Sequence, residues 1–296
     1  MSTDATNDRD AALELRVLVG YDGSPSSDDA VTVGAALFPT ATPWIAFLWL
    51  PPFASHELSQ RLRGRARTLD ELVALIEQEG GAEAQRVVDS GLALARSLGW
   101  AAEGVVRRTY GGEGFQMAQL AEELNADLVL VGSRGLGGTR AALGSVADVI
   151  VHYSTKPVRV VPHPLATTER AALPSGPIVV GWDGSEGAKA ALVAAATLFP
   201  GRELVAAEVR HYDEESLWTG EGTPPATVVR LPLGRAVGAS RSVAEQLEAC
   251  AAERSAAAVV VGSRGRSVIR ELLLGSVAKA TLHNVRRPVL VVPRGR

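Results

Sequence analysis

The sequence predicts an α/β fold made of two tandem domains, each a parallel β-sheet flanked by helices. Three observations predict it. A chain of 296 residues most naturally holds two domains, because single hydrophobic cores stop growing near that length. Four blocks recur in the same order. Residues 16–24 (RVLVGYDGS) return as 177–185 (PIVVGWDGS), and 128–135 (LVLVGSRG) as 258–265 (AVVVGSRG). Residues 143–147 (LGSVA) return as 274–278, and 156–162 (KPVRVVP) as 287–293 (RPVLVVP). Short β-branched runs also alternate with helical stripes through both copies, the pattern of parallel strands joined by right-handed crossovers. The copies span 15–162 and 177–293. Between them, 163–176 carries Pro164 and Pro174 among polar residues, the composition of an exposed linker.

In the first copy, 16–19 reads as a buried strand. Asp22-Gly23 turns the chain, Ser24 is placed to cap the next helix, and Pro25 suits its first position. A second strand is expected at 44–50 and a helical region at 69–98, with Gly80-Gly81 a candidate break. A third strand begins at Val105-Val106, a helix covers 113–124, a fourth strand covers 128–131, a last helix starts near Ser145, and a fifth strand covers 158–161. In the second copy Leu192, Ala195, Ala196 and Phe199 form the i, i+3, i+4, i+7 stripe of an amphipathic helix. Gly20 and Gly132 are 112 positions apart but Gly181 and Gly262 only 81, so the second copy lacks the long helix. Residues 211–225 stand in its place and read as an irregular loop between two strands.

Hydrophobic residues make up 46% of the chain and charged residues 21%, as in ordinary globular proteins. A net charge of −3 gives no attraction to nucleic acid or an anionic membrane. No apolar run approaches a membrane span, and residues 1–10 lack the features of a signal peptide. With Cys250 the single cysteine, the reducing cytoplasm is the expected location, and Cys250 reads as a small buried hydrophobe. His56, His152, His163, His211 and His283 show no metal-ligand spacing.

The chemistry lies after the fourth strand of each copy. Gly132-Ser133-Arg134-Gly135, eight residues, then Gly144-Ser145 is matched by Gly262-Ser263-Arg264-Gly265, nine residues, then Gly275-Ser276. Each segment leaves a buried strand and opens a helix. Glycines there admit a ligand close to the backbone, and amides at turns and helix N-termini bind anions. Ser145 and Ser276 add hydroxyls, and Arg134 and Arg264 add positive charge. A purely structural loop is the alternative for one such segment; its recurrence in the same strand-turn-helix context favours a phosphate cradle. The first segment resembles a P-loop, but Gly138 stands where lysine is required, and no G-x-G-x-x-G follows either first strand. Asp22 and Asp183 either tighten their Asp-Gly turns or read the nucleoside end of a ligand.

These blocks resemble the universal stress protein family in its tandem form, over nearly all of 15–293 except the linker and the shortened middle of the second copy. The family motif is G-2x-G-9x-G-[ST]. The resemblance implies Rossmann-like domains with five parallel strands in order 3-2-1-4-5, and a ligand crevice between strands 1 and 4. It implies ATP as the ligand, with or without Mg²⁺. Gly20, Asp22 and Leu50 would serve the first site with Gly132, Ser133, Arg134, Gly135, Gly144, Ser145 and Val146. Gly181, Asp183 and Val209 would serve the second with Gly262, Ser263, Arg264, Gly265, Gly275, Ser276 and Val277. It also implies that the fifth strands, 158–161 and 289–292, pair within the chain; a homodimer of whole chains stays open. Two departures stand out. The first loop is one residue short, which predicts displaced amides and weaker binding there. Ala257 replaces Asp127 at the strand end remote from the ligand, a change expected to be structural. With no base poised at the loop, an ATP-binding signalling module without robust turnover ranks first, a scaffold with decayed sites second and a nucleotide-hydrolysing enzyme third.

Overall fold

Apolar β-branched runs become the inner strands, buried on both faces as parallel strands require. In the first half these are β1 (Arg16–Gly20), β4 (Leu128–Gly132) and β5 (Val158–Val161), with β2 (Thr42–Trp49) and the more exposed β3 (Glu103–Arg108) outside them. The second half repeats this with β6 (Ile178–Trp182), β9 (Ala258–Gly262) and β10 (Val289–Val292), then β7 (Leu204–Arg210) and β8 (Thr227–Pro232). The structure, a computed structural model, describes residues 15–51, 65–135, 143–210, 215–233, 239–265 and 274–294. All ten strands join in one sheet of order β3-β2-β1-β4-β5-β10-β9-β6-β7-β8. Every pairing is parallel except the central one, where Arg159 of β5 faces Leu290 of β10 in antiparallel register. Each half therefore has the order 3-2-1-4-5, and the fifth strands pair inside the chain, closing edges that would otherwise be exposed.

The helices are α1 (Pro25–Leu37), α2 (Leu69–Ser97), α3 (Glu113–Glu123), α4 (Ser145–Tyr153), α5 (Thr167–Ala172), α6 (Glu186–Leu198), α7 (Ala239–Glu253) and α8 (Ser276–Asn284). Alternation along the strands divides the core into two layers. Val17, Val19 and Leu130 meet α1 on one face, while Leu18, Val129 and Val131 meet α3 and α4 on the other. Ser24 caps α1 by accepting from the Ser27 amide, and Ser185 caps α6 by accepting from Ala188. Asp127 accepts from the Arg16 amide (2.9 Å) and faces the Arg16 guanidinium (3.3 Å). At the matching place the second copy has Pro177, which offers no N–H, so Ala257 leaves no donor unpaired.

Three expectations need correction. Helix α2 runs unbroken through Gly80-Gly81, because Ile76, Ala84, Val88, Gly91 and Ala95 form one buried stripe. That burial outweighs the roughly 1 kcal/mol each mid-helix glycine costs. Strand β2 begins at Thr42, two residues before its apolar run suggests, and ends at Trp49, one residue before. The linker is not an exposed tether: it forms α5 and buries Leu165, Glu169, Ala172 and Leu173. Asp29 of α1 binds His163 (2.6 Å) and Arg170, while Arg202 donates to the carbonyls of Gly176 (2.8 Å) and Leu173 (2.7 Å). The linker thus finds polar partners on both halves, through side chains to the first and backbone carbonyls to the second.

In the second copy, the described part of the irregular segment (residues 215–225) covers the face that α2 covers in the first. Buried Glu208 accepts from the Leu217 amide (2.6 Å) and the Ser216 hydroxyl (2.7 Å). These bonds seat Trp218 edge-on against Trp182, with ring centroids 4.9 Å apart. Trp218 is only partly buried, so Trp218→Ala is expected to cost about 1–2 kcal/mol, below the roughly 1.5–3 kcal/mol of a fully buried apolar side chain. A lower denaturant midpoint with a red-shifted tryptophan spectrum would show it; an unchanged midpoint would mean that the segment does not seal this face.

Candidate functional site

After β1 the chain turns into α1 on one face of the sheet; after β4 it passes to α4 on the other. The carboxyl ends of β1 and β4 therefore part, and a crevice of about 630 Å³ opens between them. The same divergence between β6 and β9 makes a second crevice of about 440 Å³. Both volumes lie in the range of small-molecule sites.

Gly20 and Gly181 floor the two crevices; a Cβ on Gly20 would meet Val131 at 3.1 Å and Met117 at 3.4 Å. Asp22 divides its carboxylate between two tasks. Its Oδ1 accepts from the Ser24 amide (3.0 Å), tightening the turn, while Oδ2 stands 2.8 Å from where a Cβ on Gly135 would be. Asp183 repeats this with Ser185 (3.0 Å) and Gly265 (2.7 Å). Both readings of the aspartates thus have a place in the geometry. Tyr21 donates to Asp28 (2.8 Å) at the first crevice; burial, that hydrogen bond and the charges of Asp28 and Asp22 push its pKa well above the usual range. It stays a neutral donor.

Arg134, Gly135, Gly144, Ser145 and Val146 line the first crevice, and Arg264, Gly265, Gly275, Ser276 and Val277 the second. The helices that start there differ from α1 and α6. No side chain caps α4 or α8, whose N-caps are Gly144 and Gly275. The residues of their first turns line the crevices, and among the described residues their first amides have no acceptor, the arrangement that receives an anion. The Ser276 hydroxyl is held by Ser240 (2.8 Å).

Leu50 does not reach the site. It lies beyond the end of β2 and is 52% exposed, whereas Val209 does line its crevice. Register explains the difference. Gly20 pairs with Ala46 and Gly181 with Ala207, so the counterpart of Val209 is Leu48, which lines the first crevice with Ala46 and Phe47. Aligning 46–48 with 207–209 would have found it. Met117 and Leu247 form the other apolar wall, and only the packing of α3 and α7 brings them there.

Ser133 and Ser263 are also not part of either lining. Their carbonyls accept from Gly144 (2.8 Å) and Gly275 (2.7 Å), and their amides bind the ends of β5 and β10. The Ser133 hydroxyl accepts from the His163 amide (3.2 Å), tying the loop to the linker. These matched bonds also show where the shorter first loop ends. Gly144 and Gly275 have the same partners and nearly the same backbone angles, so the expected displacement does not reach the helix start. The difference falls on residues 136–142 and 266–273, outside the described residues.

A family model described as the universal stress protein family matches residues 15–162 and 230–293. The chain belongs to this family. Universal stress protein Rv2005c of Mycobacterium tuberculosis is 29% identical over 198 residues, covering 59% of this chain and 64% of that relative, so the chain spans just under two thirds of its length. A universal stress protein of Mycolicibacterium smegmatis is 26% identical over 95% of this chain and 98% of its own. The crystal structure of a universal stress protein from Archaeoglobus fulgidus shares the fold, with a TM-score of 0.65 at 20% identity over 95% of this chain and 98% of that one. Among the described residues no helix is long and apolar enough to cross a membrane, and no three His, Cys, Asp or Glu side chains cluster to hold a metal. Cys250 is buried, and burial pushes its thiol pKa upward, so it is a poor nucleophile.

The first glycine of each motif in this stress protein serves packing. A Cβ on Gly132 would stand 2.6 Å from the Ser26 carbonyl, and one on Gly262 2.5 Å from that of Gly187. Backbone cannot yield as a side-chain tip does. Gly132→Val and Gly262→Val are therefore expected to lower stability, by about 1–3 kcal/mol or more, with or without nucleotide. Thermal melts of both variants without ligand check this; native melting temperatures would return these glycines to a direct ligand role.

Proposed function

We propose that this universal stress protein is an ATP-binding signalling module that turns its ligand over slowly or not at all, with the first crevice as its tighter site. The observation that carries this reading is the uncapped start of α4 facing a crevice walled by Ala46, Leu48 and Met117. Apolar walls suit a purine, and an uncapped helix start suits phosphates. Asp22 is positioned for the nucleoside or for Mg²⁺ carried on the phosphates, since Mg²⁺ needs only one or two carboxylates when phosphate supplies other ligands. The second crevice is smaller, and its Ser276 hydroxyl already accepts from Ser240, which favours a scaffolding role for the second half.

Replacing Ser145 or Ser276 with aspartate separates binding from folding. A carboxylate at the first helical position favours the helix dipole yet repels phosphate. Ser145→Asp is expected to weaken ATP binding tenfold to a hundredfold, about the 1.5–3 kcal/mol of one charge-assisted hydrogen bond. Calorimetric titration should show Ser276→Asp with nearly native affinity. Loss of the tight event only in Ser276→Asp would move the main site to the second half, and no ATP binding by the native chain would leave the scaffold reading.

Slow turnover is supported by the occupied groups around the phosphate cradle. Tyr21 is held protonated, and one Asp22 oxygen is bound to the Ser24 amide. Incubation with ATP and Mg²⁺ is expected to release less than one ADP per chain over an hour at 25 °C. Multiple turnovers that vanish in Ser145→Asp would establish an enzyme instead.

A further inference from the structure

The seam between the halves contains a buried cation that neither crevice uses. Arg159 stands in the middle of β5 with no solvent exposure, and none of its three guanidinium nitrogens has a hydrogen-bond partner among the described residues. The group lies between two aromatic rings, 5.5 Å from the centroid of Phe38 and 4.8 Å from that of Phe199, which are themselves 5.4 Å apart. Phe38 and Phe199 are the C-caps of α1 and α6. Ring faces and the negative ends of two helix dipoles are what the cation has in place of a counterion. Arg202 lies near enough to oppose the charge further; burial first, and then Arg202, push the guanidinium pKa down to about 9, which leaves it charged at neutral pH.

Symmetry gives this charge a consequence. Arg159 faces Leu290, and these are equivalent positions in the repeat, RVV following KPV in one copy and LVV following RPV in the other. Each therefore sits on the pseudo-twofold axis, where a pair of identical strands would set a residue against its own copy. A β5–β5 pair between two chains would bring two Arg159 guanidinium groups together in a seam without water, where like charges repel strongly. A β5–β10 pair sets one cation against a leucine.

We propose that Arg159 selects the strand that β5 accepts. It admits an edge with a neutral apolar residue at the axis position, as β10 offers, and rejects a second β5. Specificity of this kind comes from a contact that penalises the wrong partner. It directs the exposed edge of the first half to the second half of the chain and away from the first half of a neighbour.

Leu290→Arg builds within one full-length chain the same Arg–Arg seam that a β5–β5 pair would contain. It is expected to lower the melting temperature by about 10 °C, the effect of an uncompensated buried charge in a chain of this size, and to enlarge the radius of gyration in X-ray scattering as the halves part. Arg159→Leu is expected to melt no lower than the native chain. In the double variant Arg159→Leu/Leu290→Arg one cation again faces one leucine, and both the melting temperature and the radius should return close to native. Rescue of a Leu290→Arg chain that fails to fold would count equally as support. If Leu290→Arg is equally damaging with and without Arg159→Leu, leucine packing and not charge selects the seam. If Arg159→Leu alone opens the halves, the arginine sustains the pairing and the proposal is wrong.

Discussion

The antiparallel contact between β5 and β10 is the constraint from which the rest of this molecule follows. Each half alone is an open sheet with its fifth strand at an edge, and these strands are short, apolar and strongly β-forming. Joining them yields one ten-stranded sheet and buries both strands completely. The carboxyl ends of the same two strands lie beside the glycine loops through their parallel pairing with β4 and β9. The Ser133 and Ser263 amides bind Val161 and Val292, so each cradle is anchored directly to the seam. The linker reinforces the first of these anchors through His163, which joins Ser133 to Asp29 of α1.

The crevices depend on close backbone approach more than on particular side chains. Gly132 and Gly262 allow the strand ends to touch the starts of α1 and α6. One detail differs between the copies. Ser26 accepts from the Arg134 amide through its hydroxyl, while Gly187 in the equivalent place packs so closely on the Arg264 carbonyl that no Cβ fits. One motif thus closes by a hydroxyl bridge in one copy and by direct backbone contact in the other.

The halves also show how a fold tolerates loss of an element. The first covers one face of its outer strands with the 29-residue α2; the second uses Trp218 and Leu217, seated by the buried carboxylate of Glu208. The buried carboxyl is accommodated there because both oxygens are engaged, by the Leu217 amide and the Ser216 hydroxyl, with the Arg210 guanidinium 3.4 Å away. Arg159 is the contrasting case, a buried charge whose value lies in which partner it refuses.

The repeat, the Ser24 cap and the glycine turns after the fourth strands were legible in the sequence, because each rests on local pattern or on residues with one strong conformational preference; the strand order and the pairing of the fifth strands followed from the family resemblance. Val209 was legible too, but Leu48 was missed in favour of Leu50, since apolar composition does not define register and a two-residue shift keeps the same face. The path of α2 through Gly80-Gly81 and the burial of the linker were set by packing against distant residues, which outweighs local propensity. Met117, Leu247 and the partners of Ser133 were likewise invisible, because residues far apart in the chain meet only once the sheet has formed. By itself the sequence determined two repeated α/β domains and the groups at the ends of their strands. Only the tertiary structure decided which groups reach the crevice and what faces Arg159, because depth, register and the seam are fixed by contacts between elements and not within them.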